Sequence, residues 1–213
     1  MPRRIKVILT LLVTVLLVSA VFNYVLYRQS KESKSALNQV VDIVLSKDLT
    51  EYYRIRSVSV PLNQAISEKE IGLDEAEFLQ RTLLQEFSTY QELIQLYVNL
   101  HGYKEIKLVG ASNRLVSMLQ DYASYFDQLS GQLQIEGDNG TGSIKLSEND
   151  LENIRIIVET LDQLNTIKDD SQSDSLREDW GKMMLANEAY VNSSDVIDKH
   201  QIVVDRLITM TEQ

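Results

Sequence analysis

With 213 residues, a formal net charge of −10 and no Cys, the chain excludes disulfides, thiolate nucleophiles and Cys-based metal sites. Two Pro and eight Gly are too few for a turn-rich β fold and favour long helices. The charge is unevenly divided: residues 1–34 carry a net +5 and the remainder −15, and so acidic a remainder repels nucleic acid and anionic lipid headgroups.

Residues 1–6 are a short basic terminus with Arg3, Arg4 and Lys6. Val7 to Tyr27 then runs for 21 positions without a charged residue, a helix of roughly 31 Å, close to the hydrocarbon thickness of a bilayer. Tyr24 and Tyr27 stand at its far end, where amphipathic rings favour the headgroup region. The preceding basic residues predict a cytoplasmic N-terminus and an exported remainder, although Arg28, Lys31 and Lys34 nearly balance them. A cleaved secretory signal is the competing reading, with Val18-Ser19-Ala20 as the small-residue site. The apolar run continues seven residues past Ala20, which favours an uncleaved signal-anchor at the cell membrane. Residues 28–36, rich in Ser and Lys, form a juxtamembrane linker, and 37–213 form the extracytoplasmic domain.

That domain reads as helices. Leu37, Val40, Val41, Val44 and Leu45 fall at helical spacing. The stretch 52–62 is ambiguous between helix and strand, because Ile55, Val58 and Val60 are β-branched and Pro61 disfavours an α conformation before it; a helix broken near Pro61 is expected. Leu73 to His101 carries an apolar stripe stepping by three or four (Ala76, Leu79, Leu83, Phe87, Tyr90, Ile94, Tyr97), and Gly102 suits a left-handed cap. A second long helix from about Lys104 to Leu133 follows a short connection, so the two predict an antiparallel hairpin. The loop EGDNGTGS at 136–143 is flanked by alternating Leu133-Gln134-Ile135 and Ile144-Lys145-Leu146, consistent with a small β-hairpin near 133–146. Ser147 and Asp150 resemble a capping box opening a helix to about Lys168, and Ser175 and Glu178 open another. Asn192-Ser193-Ser194 ends that one, and the last helix carries Val196, His200, Val203, Leu207 and Met210 on one side.

Few residues suggest chemistry. His101 and His200 are the only histidines, and both lie on apolar stripes, so they could meet in the core and join a carboxylate as a metal or acid–base site. The competing reading makes His101 a favourable charge at a helix C-terminus and His200 a boundary residue. Asp138-Asn139-Gly140 lacks the further acidic ligands of a calcium loop and reads as a turn. Tyr90, Tyr97, Tyr122 and Phe126 occupy core stripes, more in keeping with packing than with an aromatic ligand cage, whereas Tyr52, Tyr53, Tyr103 and Tyr125 are the better candidates for an exposed binding patch. Asn139-Gly140-Thr141 and Asn192-Ser193-Ser194 match the glycosylation triplet, which matters only in a eukaryotic secretory pathway.

The expected architecture is all-α: one N-terminal transmembrane helix followed by an extracytoplasmic bundle. In outline this resembles the anchor-plus-bundle plan of bacterial extracytoplasmic sensor domains, such as those of chemoreceptors, without a motif specific to them. The leading expectation is a non-enzymatic interaction or scaffold module of the bacterial cell envelope with a protein partner, no cofactor, no metal and no catalytic residues. The alternative is a small-ligand-binding or sensory bundle, with Tyr and His lining a pocket, that signals through a partner membrane protein. A third reading makes a hydrolase or metalloenzyme of His101, His200 and acidic residues.

Overall fold

The computed structural model describes residues 16, 19–32, 54–101, 106–136, 142–171 and 176–212. The chain divides into two units, Met1–Val44 and Leu45–Gln213. In the first, residues 19–32 form a helix, α1. Its apolar side chains Val21, Phe22, Val25 and Leu26 are all exposed, as are Tyr24 and Tyr27, and Arg28 pairs with Glu32 one turn on, at 2.8 Å. Among the described residues no helix is long and apolar enough to cross a membrane. Eleven of the 21 positions of the expected span 7–27 lie outside them, as does all of the amphipathic stretch 37–45.

The second unit is predominantly helical. Its order is α2 (Arg54–Glu68), β1 (Glu70–Gly72), α3 (Leu73–His101), α4 (Ile106–Glu136), β2 (Ser143–Lys145), α5 (Glu148–Asp170), α6 (Leu176–Val191) and α7 (Ser194–Thr211). Helices α3 and α4 make the most extensive pairing in the unit, and a bond from Gln80 Nε2 to Asp127 Oδ1 at 2.6 Å joins the start of one to the later part of the other. Helix α4 also packs on α6 and α7, and α5 packs on α2, α6 and α7. The broad apolar faces of the middle helices follow from this. Leu115, Val116, Met118, Leu119, Tyr122, Ala123, Tyr125, Phe126, Leu129 and Leu133 are all buried along α4.

Three expectations are corrected. Helix α2 is not broken at Pro61; the proline lies inside it. Pro61 cannot supply an N–H to the helix ladder, but Ile55, Val58, Leu62 and Ala65 bury a regular stripe that holds the helix together. The hairpin near 133–146 does not form, because 133–136 continue α4. Only its second arm is a strand, and it pairs antiparallel with β1 instead, with Glu70 opposite Lys145, Ile71 opposite Ile144 and Gly72 opposite Ser143. Periodicity could not show this, since the partner strand is three residues long and sits between two helices. Tyr125, expected at the surface, is fully buried.

The strand pair ties the entry of α3 to the entry of α5. Leu73 N–H donates to the Gly142 carbonyl, and Leu146 N–H to the Lys69 carbonyl, both at 2.9 Å. Both turns use left-handed backbone: Gly142 has φ 59° and Lys69, unusually for a residue with a side chain, φ 55°. Ser147 caps α5 as its sequence predicts. Its side chain accepts from Asp150 N–H, and the Asp150 side chain accepts from Ser147 N–H, which satisfies two of the four N–H groups a helix start leaves over. Ser175, on which the expected Ser175–Glu178 box depends, and Gly102 lie outside the described residues.

Candidate functional site

The side chains capable of chemistry gather where α4, α5 and α7 meet. At one end Asp150 is the hub. Its carboxylate accepts from Arg206 through Nε at 3.0 Å and Nη2 at 3.3 Å, from the Tyr125 hydroxyl at 3.2 Å, and from Ser147. Burial alone would raise the Asp150 carboxyl, but the bonds from Ser147, Arg206 and Tyr125 outweigh it and hold the group below its ordinary value. The Tyr125 hydroxyl is pushed well above the phenol range, first by burial and then by the Asp150 charge. One residue therefore caps α5 and fastens both α4 and α7 to it.

Farther along the same helices, His200 Nε2 lies 3.0 Å from Asp121 Oδ2. The His200 side chain is 17% exposed and that of Asp121 33%. Its ring meets Tyr122 edge-on at 5.8 Å between centroids. The Tyr122 hydroxyl donates to Thr160 on α5 at 3.3 Å, and burial raises it above the phenol range. Lys199 reaches Glu159 at 2.6 Å and Asp195 at 3.0 Å; these two bonds raise its ammonium above the ordinary lysine value.

A third group lies deeper. Glu86 on α3 and Lys168 on α5 are both buried, and burial lowers the Lys168 ammonium to about 8 against the opposing charges of Asp169 and Glu86. Tyr90 accepts a bond from Asn187 Nδ2 of α6 at 3.3 Å. Asn187 is fully buried, and its Oδ1 has no hydrogen-bond partner among the described residues.

His200 thus finds a carboxylate, Asp121, but from α4 and not from Asp198 two residues earlier in sequence. A His–carboxylate pair of this geometry orients an imidazole; the hydroxyl beside it, that of Tyr122, is committed to Thr160. The surroundings of the His101 side chain lie outside the described residues, as do Tyr52, Tyr53, Tyr103 and the Asp138-Asn139-Gly140 turn. Among the described residues no group of three or more His, Asp or Glu is arranged to hold a metal ion. Asn192 sits in the turn between α6 and α7, its side chain accepting from Arg114 at 3.0 Å and donating to the Glu188 carbonyl at 3.0 Å.

Sequence reading missed Asp121, Thr160, Arg206, Lys168 and Asn187, because each acts through a partner on another helix. Glu86 left a signal, a carboxylate on the buried stripe Leu79, Leu83, Tyr90. No protein family, no curated protein and no solved structure matches the chain.

Proposed function

We propose that this is a membrane-anchored extracytoplasmic helical protein that works as a non-enzymatic interaction module of a bacterial cell envelope. The observation that carries the reading is the order of the sequence itself: an uncharged stretch of 21 residues with a basic root, followed by a remainder of net charge −15 over residues 35–213. Among the described residues, several polar side chains fasten one helix to another: Tyr125 and Arg206 on Asp150, His200 on Asp121, Tyr122 on Thr160.

Protease added to intact cells tests the topology; digestion of the domain is expected, and complete protection overturns it. Sequencing the mature N-terminus separates anchor from signal peptide, since a chain beginning at Val21 is a cleaved one. Cross-linking in native membranes, read by mass spectrometry, tests the interaction reading through the recovery of a protein partner.

A further inference from the structure

Helix α7 buries only Val196, Val203 and Met210 of its 18 residues. Ile197, Ile202 and Ile208 stay exposed, and Val204 is half-buried. At about 100° per residue Ile197, Val204 and Ile208 fall on one line of the helix, with the exposed Gln201 beside it, and eleven residues at 1.5 Å give a line roughly 16 Å long. Single exposed apolar residues are ordinary, and Val60 on α2 is one; an aligned row of three is a face.

Charge says what the face fits. The two lysine or arginine side chains of α7 are paired with carboxylates of α5, Lys199 with Glu159 and Arg206 with Asp150, and His200 sits against Asp121. Asp198 and Asp205 are exposed and run along one side of the stripe, where Gln201 donates to Asp205 at 2.7 Å. Glu212 is exposed just past the end of the helix. The exposed side of α7 therefore carries an apolar line with an acidic border, on a unit that is itself strongly acidic. A second copy would bring like charges together and is disfavoured.

We propose that the outer face of α7 is a docking surface for an amphipathic helix with a basic border, carried by a partner protein. The proposal rests on the interaction reading above and names the partner's chemistry. A helix matches a straight stripe about three turns long, its apolar anchors meeting Ile197, Val204 and Ile208 and its Lys or Arg meeting Asp198 and Asp205. The field of the acidic unit attracts such a segment before contact.

The test uses the full chain in detergent and a synthetic helix with Leu on one face and Lys on its border, followed by fluorescence anisotropy. Binding is expected, weakening with salt. The double variant Ile197→Lys/Ile208→Lys, both at exposed positions, weakens it by about tenfold or more. Asp198→Asn/Asp205→Asn weakens it about threefold and flattens the salt dependence. Val60→Lys leaves it unchanged. Equal binding by all variants, equal binding of the same peptide with Glu in place of Lys, or no binding overturns the proposal. In cells, a photo-cross-linker at Ile208 should capture a partner through a basic amphipathic segment located by mass spectrometry. Capture only from Leu84 on α3 or Leu185 on α6, both exposed, or between two copies, overturns the α7 surface while leaving the interaction reading standing. Capture from none of these positions overturns both.

Discussion

Helices α5 and α7 lie against each other and are built on opposite terms. Of the 23 residues of α5, 11 are buried, because α2, α6 and α7 all pack on it. Helix α7 has three such residues in 18, spaced seven apart, and adds polar fasteners at Lys199, His200 and Arg206. Apolar burial gives a helix its stability, and a thin seam leaves the rest of the sequence available for other use. The difference teaches that α5 is a structural centre, while α7 is held in register by ionic contacts and spends its remaining apolar residues on the surface.

The widest separation should come from core truncation. Leu161→Ala on α5, at a site with no exposure, should cost about 3–4 kcal/mol in denaturant unfolding, within the range for buried leucine truncations. If Val203→Ala on α7, equally buried, costs as much, the contrast fails; about 2 kcal/mol is expected for the smaller side chain. Next comes the hub that joins the two helices. Asp150→Ala removes a cap and leaves Arg206 and Tyr125 without their acceptor, for a loss of about 3 kcal/mol.

That hub also carries a pH signature. Because the folded Asp150 carboxyl lies below its ordinary value, its contribution is full above the unfolded carboxylate pKa and disappears as pH falls through the folded one. Asp150→Asn should accordingly flatten the acid limb of the stability curve below about pH 4. Lys168 works with the opposite sign. Its folded ammonium titrates near 8 against an ordinary 10.5, so the unfolded chain binds more protons between those values and stability should rise with pH from about 8 to 10. Measured by urea unfolding at several pH values, that rise should vanish in Lys168→Met. The smallest effect belongs to the outer face of α7: Ile208→Lys should change stability by less than about 0.5 kcal/mol. A larger loss would mean that the face is packed and not free.

Most helix spans were legible because a three-four step of apolar residues marks them, and Leu73–His101 agrees with the observed helix α3. The Ser147 cap was legible from four consecutive residues. What escaped depends on neighbours. Tyr125 reads as off the stripe of Tyr122, Phe126 and Leu129, yet it is buried because α4 is covered on several sides, and a period of 3.6 identifies one face only. The pairing of β2 with β1 spans the whole of α3 and α4, so no local pattern records it. The Asp121–His200 and Asp150–Arg206 pairs are likewise products of topology, invisible until three helices are in place.

The strand pair has a consequence for how the chain folds. Joining Gly72 to Ser143 closes a loop that contains the α3–α4 pairing, and closing a long loop of disordered chain is costly in entropy, whereas a helical hairpin forms from near neighbours. The two three-residue strands contribute too little to be formed first. They are expected to close as a clasp after α3 and α4 have shortened the distance between its halves, bringing Ser147, and with it the start of α5, to the place where Asp150 meets Tyr125 and Arg206.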